Sequence, residues 1–143
     1  MSDTPGTSRR RFLAMVVAGA AAPGCGGSHG ASAQAFGDVA AGTVSSLPGG
    51  ALVAVSGVSA CVGHDAGGLY AMTLTCTHQG CEASVVGDQV ACPCHGSVFD
   101  SNGAVVNGPA TEPLVHFAVS VDTTGNITVH GGTEVDASTR VAP

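Results

Sequence analysis

The sequence has almost no large aromatic side chains and few charges. Among its 143 residues there is no tryptophan, one tyrosine and four phenylalanines, and only 10% of the residues are charged. A chain with so little bulky apolar material cannot build a large core, and small domains of this kind depend on covalent or metal cross-links. The length argues for one domain with an extension rather than for two domains. The six cysteines are therefore the first candidates for what holds the fold together.

Positive charge is also scarce and unevenly placed. Three of the four basic residues are the adjacent Arg9, Arg10 and Arg11, which leaves Arg140 as the remaining one. Beyond Gly24 the chain has nine acidic residues against one arginine, a formal charge of −8. Such a surface repels phosphate backbones and anionic lipid, so nucleic-acid binding is excluded as a function, whereas a basic protein partner would suit it.

Helical periodicity is missing after Asp38, where the chain consists of short apolar runs separated by turn residues. Residues 83–86 and 89–91 flank Gly87-Asp88 and predict a tight hairpin. Residues 115–121 alternate strictly between apolar and other side chains, as a half-buried strand does. The remaining predicted strands are 51–55, 58–62, 69–74 and 127–129. The pattern predicts an all-β fold.

A long apolar segment is absent from the N-terminus. The run at residues 12–22 is short of the roughly 20 residues that a membrane-spanning helix needs. It follows Ser8-Arg9-Arg10-Arg11-Phe12-Leu13, which resembles the twin-arginine export motif. Residues 1–24 are therefore interpreted as a signal segment that exports a folded protein, and residues 25–38 as a flexible tether.

The fate of the signal segment is open at this point. Cys25 follows a signal-like sequence and is a candidate for lipidation. Residues 31–33 form a small A-x-A site at which a signal peptidase could cut after Ala33. In a third alternative the segment stays uncleaved as a weak anchor. Each of these places the protein at the outer face of the cytoplasmic membrane or in the periplasm.

Two boxes of metal-ligand residues occupy positions 76–81 and 92–97. The first offers Cys76 and His78, the second Cys92 and His95, and each has one further cysteine. Two thiolates and two imidazoles on separate loops suit a 2Fe-2S cluster of the His/Cys kind or a tetrahedral zinc. If all six cysteines formed disulfides instead, two histidines at ligand spacing would have no explanation.

These boxes, C-x-H and C-x-x-H with an extra cysteine in each, resemble those of the Rieske iron-sulfur proteins. They are similar above all to the high-potential subunits of cytochrome bc-type quinol oxidases. The resemblance covers about the last hundred residues. It implies one 2Fe-2S cluster per chain, with Cys76 and Cys92 on an inner iron and His78 and His95 on an outer, exposed one.

The resemblance also implies roles for residues around the cluster. Cys81 and Cys94 would form a disulfide between the two loops. Ser97 matches the family serine that donates a hydrogen bond to a cluster sulfide, and Gly108-Pro109 resembles the loop that covers the third side of the cluster. Phe99 stands where the family usually has a tyrosine. The expected reduction potential is intermediate to high, and the missing tyrosine hydroxyl removes one interaction that would raise it.

One departure concerns partners. Gln79 stands where quinol-oxidising relatives usually have a leucine near the docking surface.

The implied function is electron transfer as the iron-sulfur subunit of a quinol–cytochrome c reductase-like respiratory complex, with cytochrome b and cytochrome c types as partners and quinol as a further candidate. The alternatives are a stand-alone extracytoplasmic carrier, or the small subunit of another exported oxidoreductase such as an arsenite oxidase. The chain would then be a redox subunit rather than an enzyme alone, held at the membrane by its N-terminal segment or a lipid.

The expected architecture is a Rieske-type antiparallel β sandwich over residues 39–143, with an inserted cluster-binding subdomain at about residues 74–110. Cys61 lies in an apolar run and is expected to be a buried thiol. The other histidines lack ligand partners at useful spacing and are interpreted as surface or turn residues; they are His29, His64, His116 and His130.

Overall fold

The computed structural model describes residues 34–143, and the predicted signal segment and Cys25 lie outside this range. The described residues form ten strands and one short 3-10 turn, Val44–Ser46. None of their helices has the length and apolar character needed to cross a membrane. The strands are β1 (Asp38–Thr43), β2 (Leu52–Ala54), β3 (Ala60–Asp65), β4 (Gly68–Thr73), β5 (Ser84–Val86), β6 (Gln89–Ala91), β7 (Val98–Phe99), β8 (Val105–Asn107), β9 (His116–Val121) and β10 (Asn126–Val135).

The strands form two antiparallel sheets, which confirms the predicted all-β fold. One sheet has six strands in the order β1-β10-β9-β4-β3-β2, and the other has four in the order β5-β6-β7-β8. In the sequence the four-stranded sheet is inserted between β4 and β9 of the six-stranded sheet. The hairpin predicted around Gly87-Asp88 is present as β5 and β6, with Val85 opposite Val90.

Strand β4 is buried on both faces and separates two cores. Leu69 and Ala71 belong to a core on one side of the six-stranded sheet, together with Phe117. Tyr70 and Met72 point the other way, into the core between the two sheets, which we call the inter-sheet core. Since side chains alternate along a strand, a strand covered on both faces is expected to be mostly apolar, and in β4 the buried polar residue is the terminal Thr73. The remaining residues of the inter-sheet core are Leu52, Cys61, Leu74, Cys76, Ala83, Val90, Cys92, Phe99, Ala110 and Leu114.

Strand β10 is longer than the sequence predicts, because it continues past residue 129 to Val135. Its pairing with β9 shifts between His130 and Glu134, where an irregularity interrupts the ladder. The ring of Phe36 lies directly against Gly131, in space that a Cβ atom would fill. Phe36 also packs edge-on against Phe117, with ring centroids 5.1 Å apart. The two glycines at 131–132 hid this strand from a periodicity analysis.

Arg140 joins the C-terminal tail to both sheets. Its Nε donates to Asp65 Oδ2 at 2.8 Å and its Nη2 donates to Asn102 Oδ1 at 2.7 Å. The guanidinium also lies 4.1 Å from the centroid of the Tyr70 ring. Desolvation tends to raise the pKa of Asp65, but hydrogen bonds from Arg140 and nearby amides outweigh it and hold that pKa below its ordinary value.

Within residues 34–143, one cysteine and three histidines lie outside the two ligand boxes in the sequence. Cys61 is buried, as predicted, and desolvation raises the pKa of its thiol to about 12. His64 Nδ1 is 2.9 Å from the carbonyl oxygen of Leu47. His130 is half-buried, and its two ring nitrogens lie 2.8 Å from Asp38 Oδ1 and 2.8 Å from Ser120 Oγ. His116 is the exception to the surface interpretation, because it is buried, and its Nε2 has no hydrogen-bond partner.

Candidate metal centre

The two ligand boxes fold into loops with the same backbone pattern. In each loop the amide of the first cysteine donates to the carbonyl five residues later, at 2.8 Å in both cases. The carbonyl of that cysteine accepts from a glycine four residues later, at 2.8 Å in one loop and 3.1 Å in the other. The glycines, Gly80 and Gly96, have φ of 76° and 81°, in the left-handed region that favours glycine. The shared pattern explains why both boxes have a glycine at this position.

The cysteines at the start of the loops lie in the inter-sheet core and next to each other. Cys76 is 1% exposed and Cys92 is 3% exposed. Burial raises the pKa of the Cys76 thiol and the neighbouring Cys92 thiol raises it further, while hydrogen bonds from the His78 amide and the Ser97 hydroxyl lower it. Two buried thiols that share one space repel each other as thiolates unless a metal cation neutralises them.

The two histidines form a second pair nearer the solvent. The rings of His78 and His95 are 4.9 Å apart between centroids and almost perpendicular, at 86°. His95 is exposed and His78 is half-buried. Nδ1 of His78 is buried and has no hydrogen-bond partner. A buried ring nitrogen without a partner is costly, and binding to a metal removes that cost. The buried thiols and this nitrogen therefore fit a bound metal cluster.

A disulfide joins the two loops, as the family resemblance implies. Cys81 and Cys94 are bonded to each other, with their Cα atoms 6.5 Å apart. The Sγ atoms of Cys81, Cys92 and Cys94 all lie within 4.8 Å of one another. This trio is not a metal site, because the two bonded sulfurs are not thiolates. Cys92 alone among the three is free to bind a metal.

A third loop, around Gly108-Pro109, is tied to the second box. Asn107 Nδ2 donates to the carbonyl of Gly96 at 3.0 Å, just before the cis Gly108-Pro109 peptide. The amide of Ala110 donates to Ser97 Oγ at 3.0 Å. Ser97 is 0% exposed, and its hydroxyl proton is free to point toward the Cys76 sulfur because the oxygen accepts from Ala110. The serine that the sequence indicated thus joins this third loop to the thiol pair.

The first box is tied to the same segment by a contact that sequence reasoning missed. Thr77 Oγ1 donates to the carbonyl of Glu112 at 2.6 Å across 35 residues. The residue lies between two predicted ligands, and its type gave no signal of this role. Asn107 was missed in the same way, although its position next to Gly108-Pro109 could have indicated it. All three loops are therefore held together by hydrogen bonds.

Phe99 and Gln79 lie on opposite sides of the site. Phe99 is 0% exposed and belongs to the inter-sheet core with Cys76 and Cys92, opposite Val90 in the sheet. Gln79 is exposed beside His78. Phe99 is thus at the buried cysteine end of the site, and Gln79 is exposed next to His78.

The chain matches the model of one protein family, the Rieske [2Fe-2S] domain, over residues 38–122. The cytochrome b6-f complex iron-sulfur subunit of Synechococcus sp. (strain CC9605) is 33% identical over an alignment of 170 residues, covering 99% of this chain and 95% of the relative. Subunit 1 of that type from the cyanelle of Cyanophora paradoxa is 40% identical over 76 residues, covering 52% of this chain and 32% of the relative.

A solved structure agrees with these relatives. The cyanobacterial plasma membrane Rieske protein PetC3 from Synechocystis PCC 6803 superposes with a TM-score of 0.52 and 31% sequence identity. The match covers 64% of this chain and 97% of that protein. Both ligand boxes and the segment from Asn107 to Glu112 fall inside the matched residues 38–122.

Proposed function

The chain belongs to the Rieske [2Fe-2S] domain family and carries electrons through that cofactor, and we propose that it does so as the iron-sulfur subunit of a quinol–cytochrome c reductase-like complex. The observation that carries this proposal is that the two ends of the site differ in exposure to solvent. The cysteine pair is buried in the inter-sheet core, whereas His95 is exposed. A one-electron centre built this way is insulated on the protein side and open to a partner at its histidine end.

For the ligands, we propose Cys76 and Cys92 on the inner iron and His78 and His95 on the outer iron. The cluster supplies one-electron chemistry when bound. Two neutral imidazoles in place of thiolates make it easier to reduce, and potentials in such sites run from roughly −150 to +300 mV, against about −400 mV for plant-type clusters. The His78 amide and the Ser97 hydroxyl both lower the pKa of the Cys76 thiol, and hydrogen bonds from them to that sulfur would raise the potential within that range.

Ligand substitutions test this assignment directly. In Cys76→Ser or His95→Ala the 2Fe-2S EPR signal of the purified full chain should be lost, because no neighbouring side chain replaces the missing bond. His130→Ala is the matched control, since it removes a half-buried histidine that pairs with Asp38, and it should keep the signal. A normal Rieske spectrum in either ligand variant would refute the assignment. Loss of the signal in the control would show that the effect is unspecific.

The partner proposal rests on surface charge and on what the relatives are called. The two relatives compared above are named as subunits of the cytochrome b6-f complex, which makes cytochromes of b and c types the proposed partners here. Within residues 34–143 there are nine acidic residues and one arginine, so a partner with a basic face is favoured. Electron transfer to such a partner should slow with rising ionic strength, as screening weakens encounter. A rate insensitive to salt would contradict the charge argument.

A stand-alone carrier, or a subunit of another exported oxidoreductase of the arsenite oxidase type, is the second candidate. Gln79 favours it, because this exposed side chain beside His78 is polar where quinol-oxidising relatives usually carry leucine. Purification from native membranes distinguishes the two functions. Co-purification with a cytochrome b supports the subunit role, and recovery of the cluster-bearing chain alone supports the carrier.

The organisation of the whole chain is part of the proposal: a twin-arginine signal at 1–24, a tether at 25–38 and a Rieske domain at 39–143 with a cluster-binding part at about 74–110. Replacing Arg9 and Arg10 by lysine should leave the cluster-bearing protein in the cytoplasm, because the export receptor reads the guanidinium pair. Export at the normal level would refute this route. Release of a Cys25→Ser variant from the membrane fraction would support lipidation, and retention would favour an uncleaved anchor.

A further inference from the structure

The Cys81–Cys94 disulfide has a free cysteine beside it. The Sγ atom of Cys92 lies within 4.8 Å of both bonded sulfurs. Cys76 and Cys92 belong to the same buried cluster, and Cys81 packs against it, so the cysteine sulfurs share one small region of the inter-sheet core and the loop above it. In the proposed function, Cys76 and Cys92 bind iron. Iron binding alone does not explain why Cys92 lies beside the disulfide.

A thiolate next to a disulfide exchanges with it without any oxidant or reductant. The thiolate attacks one sulfur, a new S–S bond forms, and the other sulfur leaves with the electron pair. As an iron ligand, Cys92 has its sulfur committed to the metal. Without the cluster, the same sulfur is a potential nucleophile within 4.8 Å of both disulfide sulfurs.

We propose that the cluster protects the disulfide from this exchange, and that loss of the cluster lets Cys92 attack the sulfur of Cys81. The Cys81–Cys92 bond forms, the Cys81–Cys94 bond breaks, and the electron pair goes to the Cys94 sulfur. The number of disulfides and the oxidation state of the chain are unchanged. Attack on Cys94 is disfavoured, because it would close a strained ring across the single residue Pro93.

The isomer has lost one ligand and cannot take the cluster back. Its free thiol is on Cys94, which is exposed, whereas Cys92 was 3% exposed. A chain that has lost its cluster and undergone the exchange therefore stays inactive until a reductant breaks the Cys81–Cys92 bond. It also sets an order for maturation, with the cluster in place before the disulfide persists. This inference rests on the proposed ligand role of Cys92.

The test follows the position of one alkyl label. The purified full chain is stripped of iron with a chelator under anaerobic conditions, and samples are quenched with N-ethylmaleimide over minutes to hours, the time range of disulfide rearrangement. After the quenched protein is reduced and the newly freed thiols are blocked with a second alkylating reagent, a protease that cleaves before aspartate releases residues 88–99, which contain both Cys92 and Cys94. Fragment sequencing by mass spectrometry then locates the label. The label should move from Cys92 to Cys94 in stripped protein, while a parallel sample that keeps its cluster should show no label on Cys94.

Two variants without a cluster provide matched controls. Cys76→Ser and Cys92→Ser both remove a ligand, but only Cys76→Ser retains the attacking thiol. We expect a Cys81–Cys92 bond in Cys76→Ser and the original Cys81–Cys94 bond in Cys92→Ser. Aged, stripped protein should regain its cluster from iron and sulfide only after treatment with dithiothreitol.

Different results would refute the disulfide exchange and the ligand assignment. If the label stays on Cys92 in stripped protein, or if Cys76→Ser keeps the Cys81–Cys94 bond, the exchange does not occur. If the purified chain carries no iron and sulfide, or if chelation leaves the alkylation of Cys76 unchanged, the ligand assignment itself is wrong.

Discussion

Removing the hydroxyl of Ser97 should lower both the reduction potential and the stability of the protein. Ser97 is 0% exposed and accepts a hydrogen bond from the Ala110 amide at 3.0 Å. Its hydroxyl also lowers the pKa of the Cys76 thiol, as a donor to that sulfur would. Ser97→Ala deletes one oxygen atom and leaves the packing otherwise similar. The substitution therefore removes a bond to the third loop and a bond to a ligand sulfur at the same time.

The two losses have separable magnitudes. The Ala110 amide, on a residue that is 4% exposed, loses its acceptor, and an unsatisfied buried donor costs about 1–3 kcal/mol of unfolding free energy. A hydrogen bond to the Cys76 sulfur favours the reduced cluster, because it draws negative charge off the sulfur. If that bond contributes ~1 kcal/mol, its loss lowers a one-electron potential by roughly 40 mV, from about 59 mV per tenfold change in equilibrium constant.

Protein-film voltammetry measures the potential, and chemical unfolding followed by circular dichroism measures the stability. Thr77→Val is the matched control, because Thr77 also ties two loops but donates to the Glu112 carbonyl at 2.6 Å rather than to a sulfur. We expect it to lose stability with little change in potential. An unchanged or higher potential in Ser97→Ala, with the cluster intact, would refute the reasoning. An equal drop in Thr77→Val would show that loop tethering sets the potential instead.

Three further predictions concern residues around the site. Phe99→Tyr should raise the potential by roughly 40 mV if its hydroxyl reaches a ligand sulfur, and a lower potential in voltammetry would contradict this. Arg140→Lys should cost about 1–2 kcal/mol of unfolding free energy, because one ammonium cannot replace a guanidinium bonded to both Asp65 and Asn102; an unchanged urea midpoint would exclude that role. Burial lowers the pKa of His116, so its stabilising contribution is present above the unfolded-state pKa of about 6.5 and is lost as pH falls below it. His116→Leu should flatten this part of the stability profile, and an unchanged slope would contradict it.

The parts of the fold and the site that could be predicted are those encoded locally. Each ligand box is six residues long, so the spacing of Cys76 and His78 is visible in the sequence and so is that of Cys92 and His95. The hairpin between the boxes is equally local, and its turn at Gly87-Asp88 is where the structure has it. Strand β10 was predicted too short, because its continuation depends on Phe36, which packs on Gly131 from far away in the sequence.

The hydrogen bonds that hold the loops together could not be predicted, for a physical reason. Thr77 reaches the carbonyl of Glu112 across 35 residues, and Asn107 reaches the carbonyl of Gly96 across 11. The acceptor in each case is a backbone carbonyl, which every residue has, so no residue type marks it. Side-chain identity therefore reveals which atoms can bind iron, whereas the surroundings that tune the cluster depend on backbone groups that only the fold brings together. Two chains with the same boxes can for that reason differ in potential and in cluster retention, and substitutions such as Ser97→Ala and Thr77→Val probe that difference where motif comparison cannot.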